Sequence, residues 1–143
     1  MNRKTRSSIV RMLLLVIALL AASVPLACAA EDIAAAQSVI QSQEEAFSRD
    51  DADAAYTFAA PAIKNWYRTP ETFMSMVRNG YAPVYRHRSF EFGEAMIVDG
   101  KIKQQVHIVD ADGAAWEALY TLEPQSDGTL KIASCILSKA VVS

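Results

Sequence analysis

The 143-residue chain predicts an α+β fold, with N-terminal helices packed on one face of a four-stranded antiparallel meander. Three observations carry this. Apolar residues recur every three to four positions as far as Gly80 and every second position beyond it. Turn signals at Asp99-Gly100, at Asp110 to Gly113 and at Pro124 to Gly128 cut the second half into four strand-length pieces. The composition, 52% apolar and 21% charged, is that of a chain that folds, and the length suits one domain.

The first residues read as an address. Arg3, Lys4 and Arg6 stand without an acid, and eleven uninterrupted apolar residues, Met12 to Ala22, come after them. Pro25 ends the run short of the ~20 residues that span a bilayer, and Ala27, Cys28 and Ala29 are small. Residues 1–29 are therefore expected to be an export signal cleaved after Ala29. Residues 30–143 would then be a single domain, periplasmic or secreted and free of the membrane. An uncleaved anchor, or a lipoprotein acylated at Cys28 within Leu26-Ala27-Cys28, stays open. Cleavage leaves ten Lys and Arg against 16 Asp and Glu, a net charge of -6. A chain so acidic, without a basic block, offers no footprint for a polyphosphate, so no nucleic-acid partner is expected. It also leaves Cys135 alone, so no internal disulfide is expected.

The elements follow in order. From Glu31 to Arg49 the spacing of Ile33, Ala36, Ile40 and Phe47 predicts an amphipathic helix, with Gln43 and Glu44 making one edge of its buried stripe polar. Asp51 is placed to cap a second helix through Ala54, Ala55, Tyr56 and Phe58, which Pro61 ends. A short helical piece runs from Pro61 to Tyr67. Thr69-Pro70-Glu71 gives an N-cap hydroxyl, proline at the first helical position and an acid in the first turn. That helix packs Phe73, Met74, Met76 and Val77, and Asn79-Gly80 should stop it.

In the first strand Phe90, Phe92, Met96 and Val98 are expected on one face, against Ser89, Glu91, Ala95 and Ile97 on the other. Asp99-Gly100 predicts a two-residue type I′ hairpin. The second strand alternates Ile102, Val106 and Ile108 with Lys103, Gln105 and His107. The third, Ala115 to Glu123, sets Trp116, Ala118, Tyr120 and Leu122 on one face, and Leu130 to Leu137 closes the meander.

Across these elements Ala46-Phe47, Asp53-Ala54-Ala55-Tyr56, Ala60-Pro61-Ala62-Ile63, Thr69-Pro70-Glu71-Thr72-Phe73, Met76-Val77-Arg78, Gly80-Tyr81, Pro83-Val84-Tyr85-Arg86, Trp116 and Asp127-Gly128 resemble a family of small exported bacterial proteins classed as a domain of unknown function. The order of elements is similar to the nuclear-transport-factor-2-like superfamily, with ketosteroid isomerases and SnoaL-type cyclases as relatives. That resemblance implies a cone of helices on a curved sheet with a pocket inside, and it implies no reaction. The isomerase relatives carry an oxyanion-binding Tyr on the first helix and two acids elsewhere. This chain has no Tyr there and offers Gln43 and Glu44, so an isomerase assignment is not supported.

Two constellations are candidates for ligand binding. Tyr81, Tyr85, Arg86, His87 and Arg88 gather two phenols, two guanidinium groups and an imidazole, a set suited to an anion unless the arginines pair with nearby acids. Trp66, Tyr67, Trp116 and Tyr120 suit an aromatic-walled pocket, or plain core packing. Asp110-x-Asp112-Gly113 reads as a turn, since the ligand spacing of a calcium loop is missing. His87 and His107 lack companions at zinc spacing, so no metal is expected. His107, opposite in parity to Val106 and Ile108, is expected at the surface or an interface. Cys135 reads as an inert thiol, and no phosphate loop, dinucleotide loop or nucleophile elbow is present, so no cofactor is expected.

The leading functional reading is a non-catalytic domain that binds a small anionic or aromatic ligand, or a protein, through the pocket and its mouth. Cofactor-free acid–base catalysis, an isomerase or dehydratase with His87 as proton carrier, is the alternative and requires His87 to point inward. A structural module whose sheet forms a homodimer is the third.

Overall fold

A computed structural model describes residues 24–141, so most of the expected export signal, residues 1–29, lies outside the described residues. The chain divides into two units, Met1–Asp32 and Ile33–Ser143. The described part of the first is the leading stretch of helix α1, Val24–Ser48. The second unit carries the remainder of α1 and every other described element.

In α1 the stripe expected from spacing is the buried one: Ala36, Ile40 and Phe47 are shielded, together with Ala46. Asp51 caps α2, Ala52–Thr57, accepting from the Ala54 amide at 3.0 Å. Pro61 opens α3, Pro61–Trp66. Thr69 and Thr72 exchange hydrogen bonds of 3.2 and 3.3 Å in a capping box that starts α4, Pro70–Gly80, and Phe73, Met74 and Val77 form its buried side. The exit from α4 differs from the expected glycine stop. Gly80 does not take a positive φ; the chain turns at Tyr81, whose amide donates to the Val77 carbonyl at 2.9 Å. A further helical turn comes next, α5, Ala82–Tyr85, favoured by Pro83 in its first turn.

The sheet is a meander, β1 His87–Val98, β2 Lys101–Asp110, β3 Ala115–Pro124 and β4 Leu130–Lys139, antiparallel in the order β1-β2-β3-β4. Asp99 and Gly100 take φ of 51° and 73°, the left-handed pair that a type I′ turn needs. One face expectation fails. A bulge between Phe92 and Ala95 shifts the register by one, so Ala95 and Ile97 lie opposite the inward Gln104 and Ile102, while Met96 turns out to solvent. Val98 is exposed as well, against the expected alignment with Phe90 and Phe92.

The side chain that fits this bulge to β2 is Gln104, fully buried. Its Nε2 lies within donating distance of the carbonyls of Gly93 at 3.1 Å, Glu94 at 3.3 Å and Gln105 at 2.7 Å, and its Oε1 accepts from Gln37 of α1 at 3.0 Å. On the outer face Gly93 leaves room for His107: a Cβ there would lie 2.6 Å from the imidazole Nε2. β4 is bulged too, between the partners of Thr121 and Leu122, and its Ile132 exchanges 2.8 Å bonds with Phe58 and Ala60. The link between α2 and α3 is thereby fastened to β4. Phe47, Tyr56 and Phe73 then pack ring on ring, with centroids 6.2 and 5.7 Å apart.

Candidate functional site

A cavity of about 240 Å³ lies between the helices and the inner face of β3 and β4. Gln43 and Phe47 of α1, Ile63 of α3, Tyr67, and Phe73, Met76 and Val77 of α4 form the helical wall. Tyr81 and Val84 stand at the α4–α5 junction, and Tyr120, Ile132 and Cys135 face them from the sheet. Among the described residues no Asp, Glu, Lys, Arg or His lines it. Tyr81, Tyr120 and Cys135 are also shifted away from ionisation. Burial raises the Tyr81 hydroxyl, and raises Tyr120 well above the usual phenol range. Burial likewise pushes the Cys135 thiol up to about 12, against the lowering effect of the neighbouring Tyr120 hydroxyl.

Gln43, with 4% of its surface exposed, and Ser134 of β4 are polar residues of the wall besides the tyrosines. The Gln43 amide faces the Ala55 carbonyl at 3.1 Å, and because a carbonyl only accepts, the facing atom is Nε2. Oε1 accepts no hydrogen bond from the described residues. Gln43 lines the cavity, and no fully shielded side-chain polar atom among the described residues lacks a partner. Tyr81 spends its proton on the Cys135 carbonyl, at 2.9 Å.

An open groove of about 520 Å³ shares Tyr81 with the cavity and runs past Asn79, Pro83, Arg86, Asp112, Trp116 and Leu137. Trp116 is set rigidly there. Its Nε1 donates to Asp110 Oδ2 at 2.8 Å, while Asp110 Oδ1 accepts from the amides of Asp112 and Ala114 at 2.9 and 2.8 Å. The Trp116 bond, followed by those amides, holds the Asp110 carboxyl below its usual range. Asp110 therefore orders the hairpin and the indole, and among the described residues no cluster of His, Cys, Asp and Glu suits a metal.

The basic stretch is dispersed by the fold. Arg86 donates to the Phe47 carbonyl at 2.8 Å and to Asp50 at 3.0 Å, and lies over the Tyr85 ring at 3.9 Å. Tyr85 donates its hydroxyl to the other oxygen of Asp50, and Arg78 adds a bond to that hydroxyl at 3.3 Å. The Tyr85 bond, with Arg86 and Arg78 beside it, holds Asp50 below its usual range. Asp50 thus occupies the place that an anionic ligand would take. Tyr85 and Arg86 fasten the end of α1, and Arg88 is exposed beside the β2–β3 hairpin. His87 points inward, 13% exposed in its side chain, against the Phe90 ring. Nδ1 meets the Pro83 carbonyl at 3.1 Å and Nε2 meets Glu44 at 2.9 Å. The Pro83 carbonyl can only accept, and the Glu44 carboxylate is likewise an acceptor, so each faces a ring nitrogen that can carry a proton. Neither residue lines the cavity or the groove.

Of the aromatic set, Tyr67 and Tyr120 reach the cavity, Trp116 reaches the groove, and Trp66 does neither. It is 85% exposed on the outer side of α3. His107 stands on the outer face, 3.7 Å from Glu117. Spacing did not single out Asp50 or Gln104. Gln104 had a signal, a polar residue at the inward parity between Ile102 and Val106; Asp50, in a left-handed turn at φ 56°, had none.

The family model described as "Domain of unknown function (DUF4864)" matches residues 29–142, and the chain belongs to that family. No curated protein and no solved structure matches the chain.

Proposed function

We propose that this member of the family is an exported domain that binds a small ligand, without converting it, in the cavity between its helices and sheet. The observation that carries the reading is the cavity itself: about 240 Å³, walled by apolar and phenolic side chains, close to the lower end of the roughly 300–1,000 Å³ usual for small-molecule sites. The nuclear-transport-factor-2-like resemblance fits the same picture of helices and an antiparallel sheet around a hollow. Tyr81 and Tyr120 are assigned to the ligand, and Trp116 to the mouth beside them. An anionic ligand is set aside, because among the described residues no charged side chain lines the cavity, and Arg78 and Arg86 are engaged by Asp50 outside it.

Export is part of the proposal. Cleavage after Ala29 would leave Glu31 and Asp32 in the first turn of the shortened α1, where acids complement the helix dipole. The test is purification of the processed chain from its native compartment, followed by denaturation and mass analysis of the released material. Wild type should release a small molecule in near-stoichiometric amount, and Val77→Phe, which fills the cavity, should not. Release from neither, or equally from both, rejects the reading.

A second reading, acid–base catalysis with His87 as proton carrier, draws on the inward imidazole 2.9 Å from Glu44, and because neither residue lines the cavity or the groove it requires a movement that brings His87 to the bound molecule. Under it, His87→Gln would abolish turnover of the bound molecule while leaving its binding intact. A bound molecule recovered unchanged after prolonged incubation with wild type would reject it.

A further inference from the structure

We infer that the cavity selects an uncharged ligand of about two fused rings that carries a hydrogen-bond donor, which it delivers to Gln43 Oε1. The inference rests on the binding reading above and names the class of molecule that the same site takes.

Size comes first. A dry cavity of about 150 Å³ accommodates a single benzene ring, so the roughly 240 Å³ between Phe47, Phe73, Tyr120 and Ile132 suits a bicyclic molecule. Charge comes second. With no charged side chain on the wall, an ionised ligand would lose its hydration and gain no counter-ion, a loss far larger than any single hydrogen bond returns.

Polarity comes third, and it has a direction. The Gln43 amide nitrogen is committed to the Ala55 carbonyl, which leaves the amide oxygen as an acceptor without a partner among the described residues, on a residue only 4% exposed. Tyr81 has spent its hydroxyl proton on the Cys135 carbonyl, so its oxygen also retains only lone pairs. Two groups of the wall thus accept and do not give. A ligand that only accepts leaves Gln43 Oε1 without a partner once it expels the water beside it, whereas an O–H or N–H on the ligand satisfies it. The hydroxyls of Tyr67, Tyr120 and Ser134, which also line the cavity, can donate or accept, so they serve either kind of ligand and leave the need of Gln43 Oε1 unchanged.

Three probes of nearly equal size separate these points in the wild-type protein: naphthalene, 2-methoxynaphthalene, which accepts only, and 2-naphthol, which donates. Equilibrium dialysis should give 2-naphthol about tenfold tighter binding than either of the others, and 2-naphthoate should bind at least a hundredfold more weakly than 2-naphthol. In Gln43→Leu the ratio of 2-naphthol to naphthalene affinity should fall from about ten to about one. Equal binding of 2-naphthol and 2-methoxynaphthalene by wild type overturns the inference and leaves the cavity reading standing, and it requires no variant to fold. So does a naphthol preference that survives in a folded Gln43→Leu. Failure of all the neutral probes to bind overturns the cavity reading, and the inference falls with it.

Discussion

Replacing Gln104 by alanine is the most exacting test of how the sheet is held to the helices. The side chain is fully buried and its two ends do different things: Oε1 takes the Gln37 amide of α1, and Nε2 satisfies carbonyls of the β1 bulge and of its own strand. Nε2 has two protons for three carbonyls within reach, so two bonds to it and one from Gln37 are counted. At about 1 kcal/mol net for each bond, the loss is about 3 kcal/mol, and the void left by the truncated side chain adds to it. Against a total stability of about 5–15 kcal/mol, this is a large fraction. At roughly 4 °C per kcal/mol for a domain near 110 residues, Tm should fall by about 12 °C. Urea unfolding followed by circular dichroism should show a lower midpoint at unchanged slope. Gln104→Met, which keeps the volume and removes the bonds, should lose nearly as much. A loss below about 1 kcal/mol in both variants would refute the role given to these hydrogen bonds.

Three other outcomes follow from the same geometry. Gly93→Ala puts a Cβ against the imidazole of His107, an end of a side chain that can swing aside, so it should cost about 1 kcal/mol. Most of that cost should vanish in the double variant with His107→Ala, and additive losses in a double-mutant cycle would contradict the contact. The Cys135 thiol is raised from 9.0 to about 12 on folding, so its contribution is complete below pH 9 and is lost as pH rises from 9 toward 12. The urea midpoint of wild type should accordingly fall over that window more steeply than that of Cys135→Ala, and parallel curves would deny the burial of the thiol. Asp110 is lowered from 3.8, so its contribution is present above that value and is lost as pH falls below it. Trp116 fluorescence should therefore shift on acidification in wild type while the domain is still folded; in Asp110→Asn this transition should be absent, and its persistence would separate the indole from Asp110.

The elements were legible in the sequence because each is marked by local chemistry. Thr69-Pro70, Asp51 and Asp99-Gly100 are read from backbone needs that no tertiary contact overrides. The register of β1 was not legible, because a bulge opposite Gln104 inverts the faces of Met96 and Ile97, and an inserted residue carries no signal of its own beyond Gly93. Site residues divide along the same line. Gln43 was visible as a break in an apolar stripe, and Tyr120 as a member of an inward strand face. The partner of Arg86 was not legible, since Asp50 comes from just past the end of α1, and sequence proximity among Tyr85, Arg86, His87 and Arg88 says nothing of it. Trp66 shows the converse. A large aromatic suggests a wall, yet on a helix of six residues its direction is fixed by Ile63 and Tyr67, which take the inner side.

The central claim is that the hollow between helices and sheet is where a ligand sits, and the most direct measurement is the position of a heavy atom. Crystals of the processed domain soaked with 6-bromo-2-naphthol should show anomalous bromine density between Phe47, Phe73, Tyr120 and Ile132, with the hydroxyl turned to Gln43. Bromine density confined to the Trp116 groove, or an interior closed by side chains with no density in it, would contradict the account.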